Sequence, residues 1–86
     1  MNKLTDLPNI GGKLAELLER AGIETPEQLR NLGSKQAFLM ISAVTDCACI
    51  NKLYAIEGAI QGINKKLLAS ETKADLLEYF RSLKKL

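Results

Sequence analysis

The chain has 86 residues, of which 47% are hydrophobic and 26% charged, the balance of one soluble globular domain rather than of a disordered or membrane chain. Its formal net charge of +2 excludes the general electrostatic attraction to polyanions that strongly basic proteins use. The longest unbroken apolar stretch, near AFLMI, is far too short to span a bilayer, and no secretory signal is visible. We therefore expect a cytoplasmic protein without membrane contact.

Helical spacing of apolar residues recurs along the chain, and no alternating run is long enough to indicate a sheet. A first helix is predicted from Gly12 or Lys13 to Ala21. Gly22 would stop it, because glycine takes the left-handed C-terminal conformation without steric cost. The apolar face of this helix would consist of Leu14, Leu17, Leu18 and Ala21.

The segment TPEQLRNLG predicts a short second helix with a clear start. Thr25 as N-cap and Gln28 three residues later form a capping box, and Pro26 stands at the first helical position, where its missing N–H does no harm. Gly33 would end this helix. Leu29 and Leu32 are predicted to face inward.

Two further helices are predicted in the middle of the chain. Ser34 would cap the third helix, whose residues spaced for burial are Ala37, Phe38, Ile41 and Val44. The fourth would run from Ile50 to about Ile63 and contain Gly58 and Gly62. An interior glycine costs about 1 kcal/mol relative to alanine, so this pair predicts the close approach of a neighbouring helix.

The last predicted helix runs from Glu71 to Lys84, with Ser70 as its cap and with Lys84 and Lys85 at the negative end of its dipole. Its amphipathic stripe would include Ala74, Leu77, Phe80 or Tyr79, and Leu83 or Lys84. The fold class predicted for residues 1–86 is therefore a single all-α domain, a compact bundle of about five short helices.

The residues that usually carry chemistry are scarce. The chain has no histidine, which removes the commonest general base and the commonest metal ligand. Cys47 and Cys49 are only two of the four ligands that a structural zinc site needs. They are interpreted as small, partly buried thiols at a helix start; a redox pair and an intersubunit metal site are the alternatives. We expect no enzyme activity, resident metal, cofactor or small-molecule substrate.

A glycine loop, LPNIGGK at residues 7–13, leads directly into the first predicted helix. Glycine lets the backbone approach a ligand closely, and asparagine tolerates the left-handed conformation that a hairpin requires. The first N–H groups of the helix lack helical partners and lie at its positive end. The loop is thus a candidate contact for a phosphate, formed by Asn9, Ile10, Gly11, Gly12 and Lys13.

LGSK, at residues 32–35, is a shorter segment of a similar kind, with a glycine, a capping serine and a lysine in the first helical turn. Ser34 and Lys35 are therefore a second candidate phosphate contact. The alternative for the main loop is purely structural. In that interpretation Gly11 and Gly12 only permit a sharp turn, Pro8 stiffens it, and Ile10 is inserted into the core.

The segment LPNIGGKLAELL resembles the hairpin and second helix of the helix-hairpin-helix class, whose L-P-G-(I/V)-G-x-K-x-A pattern binds the DNA backbone without sequence preference. The match covers Leu7, Pro8, Ile10, Gly11, Lys13 and Ala15 and departs at Asn9, where the class has glycine, and at Gly12, where proline is frequent. Only MNKLTD precedes the hairpin, so the first helix of the motif would be little more than one turn.

A longer similarity extends over about residues 7–77. LPNIG, AGI-x-T-x-E-x-L-R-x-LG and LYAIEGAIQG, in this order, resemble the C-terminal domain of the TfoX family, associated with bacterial competence regulation. The family often has a tryptophan after Gly62, and this chain has none. The resemblance implies a helix-hairpin-helix-like (SAM-like) fold in a bacterial protein.

Two functions of different kinds are compatible with these residues. The first is a weak, sequence-independent DNA-backbone binder in a competence or transcription-related regulatory context. The second is a protein-interaction module or small homo-oligomer that binds no nucleic acid, suggested by the nearly neutral charge and the glycines of the fourth helix.

Overall fold

Five α-helices and two short 3-10 turns make up the part of the chain that the structure, a computed structural model, describes, namely residues 3–84. The helices are α1 (Gly12–Arg20), α2 (Pro26–Leu32), α3 (Ser34–Ser42), α4 (Ile50–Gln61) and α5 (Ser70–Lys84). The 3-10 turns lie at Leu4–Asp6, before α1, and at Lys65–Leu67, before α5. Residues 3–84 contain no strand, which confirms the all-α class.

The core lies where α3 and α4 pack against each other. α1 and α2 pack on α3, α2 also reaches α4, and α5 packs on α4. The rings of Phe38 and Phe80 meet edge to face at 5.8 Å and link α3 to α5. The largest side chains that are almost completely buried are those of Leu18, Ile23, Pro26, Leu29, Phe38, Ile41, Leu53, Ile56 and Leu76.

The sequence signals for the first two helices are confirmed. Gly22 follows α1 with a φ of 95°, the left-handed conformation expected of a helix stop. At the start of α2 the Thr25 hydroxyl accepts a hydrogen bond from the Gln28 N–H at 3.1 Å, and the Gln28 side chain accepts one from the Thr25 N–H at 3.2 Å. Both halves of the capping box are therefore formed.

The junction between α2 and α3 differs from the prediction in two ways. Leu32 is 37% exposed rather than turned inward, because α2 ends at this residue. Ser34 is the first residue of α3 and not its N-cap, which is Gly33. The Ser34 hydroxyl instead donates to the Glu57 carboxylate on α4 at 2.6 Å, so it ties two helices together.

The predicted limits of α4 and α5 also differ from the observed ones. α4 stops at Gln61, and Gly62, predicted inside the helix, follows it in the left-handed conformation with a φ of 77°. α5 already includes Ser70, the residue predicted as its cap. On α5 the buried residue is Leu76, whereas Ala74, predicted to face inward, is exposed. Lys85 lies outside the described residues.

The two cysteines are exposed, contrary to the expectation of partly buried thiols. They belong to the segment that crosses from α3 to α4, where Cys49 is the last residue before α4 begins. Within residues 3–84, none of the helices is both long and apolar enough to cross a bilayer.

Candidate functional site

The glycine loop is held in place by the side chain of Asn9. This residue has a φ of 70° and so adopts the left-handed conformation that the hairpin requires. Its amide nitrogen donates to the carbonyl of Ile63 at 2.9 Å and to that of Ala55 at 3.5 Å. Its amide oxygen accepts from the N–H of Lys65 at 3.0 Å. Asn9 therefore fastens the loop to the middle of α4 and to the chain that follows this helix.

Gly58 on α4 leaves the room that the Asn9 side chain occupies. A Cβ atom at this position would lie 2.5 Å from the Asn9 amide nitrogen, 2.9 Å from the Ile63 carbonyl oxygen and 3.2 Å from the Lys65 Cα. The close approach predicted for Gly58 is thus real, but the approaching group is the loop and the returning chain rather than a neighbouring helix. Gly62 takes no part, since nothing lies within 4 Å of a Cβ placed there.

Gly11 and Gly12 have a different environment. Both are exposed, and a Cβ atom added to either would meet nothing within 4 Å. Gly11 has a φ of −88° and a ψ of −177°, an extended backbone open to any residue, and Gly12 has no positive φ. The interpretation that these glycines exist to permit the turn is therefore wrong, because Asn9 supplies the left-handed residue.

The first backbone N–H groups of α1 have no hydrogen-bond acceptor among the described residues. The first helical hydrogen bond runs from the Ala15 N–H to the Gly11 carbonyl at 3.0 Å, and Gly11 provides no side-chain cap. The N–H groups of Gly12 and Lys13 precede this bond, and among the described residues they donate no hydrogen bond. Lys13 is exposed beside them, whereas Ile10 is 4% exposed and anchors the loop in the core.

A turn from the second half of the chain lies against this loop. The sequence places the small basic excess in residues 46–86, apparently remote from the glycines. The hydrogen bond between Lys65 and Asn9 brings the 3-10 turn with Lys65 and Lys66 against the loop. We name the surface formed by residues 9–13 and 65–66 the loop surface.

Ser34 and Lys35 have other partners. The Ser34 hydroxyl donates to Glu57, and the Lys35 ammonium lies 2.8 Å from the carboxylate of Asp75 and 5.6 Å from the centre of the Tyr79 ring. The open cleft beside them, of about 620 Å³, is also lined by Glu71. Three carboxylates thus surround the start of α3, which is an unfavourable setting for a phosphate.

Asn9 and Lys65 show what the sequence alone could not reveal. Asn9 was selected as a candidate ligand contact, but its side chain is occupied inside the protein. The charges of Lys65 and Lys66 already make this pair, from the sequence, a candidate support for a phosphate contact from outside the loop. Its position beside Asn9 depends on a contact between residues far apart in the chain, which the sequence does not indicate. The described residues bring together no group of three or more metal-binding side chains.

The chain is similar to known proteins of one family. Residues 1–80 match the model of the TfoX C-terminal domain. The chain is 33% identical over 81 residues to Protein Sxy of Escherichia coli strain K12, a match that covers 94% of this chain and 39% of Sxy. It therefore spans about two fifths of the length of that relative.

Two crystal structures of Listeria monocytogenes proteins have the same fold. An uncharacterized protein in a triclinic form superposes with a TM-score of 0.94 at 44% identity, covering 95% of this chain and 93% of that one. A protein of unknown function in a tetragonal form gives a TM-score of 0.91 at 45% identity, with 93% and 98% covered. From the family match and these likenesses together, the chain belongs to the TfoX C-terminal domain family.

Proposed function

We propose that this domain is a non-catalytic module that binds the DNA phosphate backbone weakly and without sequence preference, in a competence or transcription-related regulatory context in the cytoplasm. The observation that carries the proposal is the pair of exposed glycines at the start of α1. Neither Gly11 nor Gly12 is needed for a positive φ or for internal packing. A bare backbone beside free N–H groups suits an external phosphate oxygen that must come close.

The charges around these N–H groups support the same ligand. Lys13 is exposed on the first turn of α1, and the turn containing Lys65 and Lys66 is fastened next to the loop. Backbone N–H groups and lysines contact phosphates but read no base edge. Binding through the loop surface would therefore be insensitive to DNA sequence.

Ser34 and Lys35 form the weaker part of the proposed site. A phosphate at the start of α3 would compete with Glu57 for the Ser34 hydroxyl and with Asp75 for the Lys35 ammonium. We therefore assign the main contact to residues 9–13, where Asn9 and Ile10 position the loop and the next three residues meet the phosphate.

Fluorescence anisotropy on two short labelled duplexes of unrelated sequence tests the proposal. We expect both to bind with similar dissociation constants, roughly tens of micromolar at low salt, and to weaken steeply as salt is added. A Gly12→Val variant should bind at least about tenfold more weakly, because the side chain would cover the free N–H groups.

A Cβ atom added at position 12 meets nothing within 4 Å, so we expect the valine variant to unfold at a temperature close to that of the parent, and a thermal unfolding curve checks that the fold is retained. If neither duplex binds, or if Gly12→Val binds as well as the parent, the proposal fails. A protein-interaction module or small homo-oligomer would then be the better description.

A further inference from the structure

Two thiols and an ammonium group lie together where the chain enters α4. Cys47 and Cys49 are both exposed. The Lys52 ammonium donates to the Cys47 carbonyl at 2.9 Å and lies 4.0 Å from the Cys49 sulfur. The Thr45 hydroxyl accepts a hydrogen bond from the Cys47 N–H at 3.1 Å. Both cysteines are thus held on one short, folded and accessible segment.

The surroundings of Cys49 favour its thiolate. The slight desolvation of this exposed thiol raises its pKa, but the backbone N–H and the ammonium of Lys52, with smaller contributions from Asn51 and Lys65, lower that pKa by more. Cys49 also precedes the first residue of α4, a helix of 12 residues, whose positive end faces the sulfur. Helix starts and neighbouring lysines are the surroundings in which cysteines react as nucleophiles.

Cys47 differs from Cys49 in these respects although it lies only two residues away. It is not at the helix start, and Lys52 touches its carbonyl rather than its sulfur. The two thiols are therefore unequal, with one suited to react first and the other close enough in sequence to react second.

We propose that Cys47 and Cys49 form an oxidisable thiol pair, with Cys49 as the attacking thiol and Cys47 as the resolving one. With hydrogen peroxide as oxidant, the Cys49 thiolate attacks one oxygen, the O–O bond breaks, hydroxide leaves and a sulfenic acid forms. The Cys47 sulfur then attacks the Cys49 sulfur, the S–O bond breaks, and one water leaves as the disulfide forms. Each peroxide molecule thus removes two hydrogen atoms from the protein.

Mass spectrometry of the peroxide-treated 86-residue chain tests this chemistry. The parent should lose two hydrogen atoms and remain one chain. The Cys47→Ser variant should instead gain one oxygen, in a form that dimedone traps, because its sulfenic acid has no resolving thiol. At pH 7 Cys47→Ser should be alkylated by iodoacetamide at least about threefold faster than Cys49→Ser.

Lys52 provides the second arm of the test. Lys52→Gln should slow the alkylation of Cys49 and leave that of Cys47 unchanged, whereas Lys52→Arg, which keeps the charge, should preserve the difference. Circular dichroism confirms that each variant is folded, and all four substitutions lie outside the core. Equal alkylation rates for the two thiols, no loss of hydrogen from the parent, or a disulfide only between two chains would each overturn the proposal.

Discussion

Asn9 joins two segments that are 46 to 56 residues apart in the chain. Its three hydrogen bonds are made with the Ala55 carbonyl in the middle of α4, with the Ile63 carbonyl after that helix, and with the Lys65 N–H in the following turn. An unpaired buried polar group costs roughly 1 to 3 kcal/mol. The left-handed conformation is also tolerated better by asparagine than by most residues. Much of the order of the loop should therefore depend on this one side chain.

Replacing Asn9 with alanine should lower the free energy of unfolding by about 3 kcal/mol, since the partners lose their hydrogen bonds and alanine is strained at this φ. Urea unfolding followed by circular dichroism measures the change. Asn31→Ala is the matched control because Asn31 is an exposed helical residue on α2, and its stability should stay within about 0.5 kcal/mol of the parent. Similar losses of unfolding free energy in both variants would show that the hydrogen bonds of Asn9 do not hold the loop in place.

Gly58 and Gly12 are helical glycines for which the same substitution should have opposite effects. Alanine favours a helix by about 1 kcal/mol over glycine. At position 58 this gain should be exceeded by the contacts with the Ile63 carbonyl and the Lys65 backbone, so Gly58→Ala should destabilise by roughly 1 to 3 kcal/mol.

Gly12→Ala is the control for that effect, because nothing lies near the new methyl group, and its unfolding free energy should be unchanged or higher. Thermal and urea unfolding of the two variants give the comparison. A Gly58→Ala protein as stable as Gly12→Ala would show that the approach of the loop to α4 is not tight.

The helices themselves were largely predictable because their limits are set by local chemistry. Gly22 stops α1 and the Thr25 capping box begins α2, each through contacts within four residues. The errors occur where a tertiary contact competes with a local one. The Ser34 hydroxyl bonds Glu57 across helices instead of capping α3, which no local pattern could indicate.

The start of α2 offers a direct test at the level of one element. Thr25→Ala should lower the free energy of unfolding by about 1 kcal/mol, because the Gln28 N–H loses its hydrogen-bond acceptor. Thr25→Ser keeps the hydroxyl and should remain within a few tenths of a kcal/mol of the parent. Urea unfolding distinguishes the two. A Thr25→Ser variant as unstable as Thr25→Ala would show that the methyl group, and not the cap, matters.

The candidate site is a property of the whole molecule. The sequence identified the loop and its glycines, but placed the basic excess elsewhere. Only the folded chain sets Lys65 beside the loop, through the contact with Asn9. The net charge of +2 is small, so local placement of lysines, rather than overall charge, has to account for any affinity for DNA.

The salt dependence of binding distinguishes affinity that comes from the lysines at the loop surface from affinity that comes from the net charge of the whole protein. If Lys13, Lys65 and Lys66 each neutralise one phosphate, the logarithm of the binding constant should fall with the logarithm of the salt concentration with a slope of about −2.7. The double variant Lys65→Gln with Lys66→Gln should reduce that slope to about −0.9. Anisotropy titrations at several salt concentrations measure both values.

A second double variant, Arg30→Gln with Arg81→Gln, removes the same amount of charge from exposed positions on α2 and α5. Because neither arginine belongs to the loop surface, the slope should stay close to that of the parent. If both double variants lowered the slope equally, the affinity would come from net charge alone and the assignment of the contact to the loop surface would be wrong. A slope lowered only by the lysine pair would locate the bound phosphates at the loop surface.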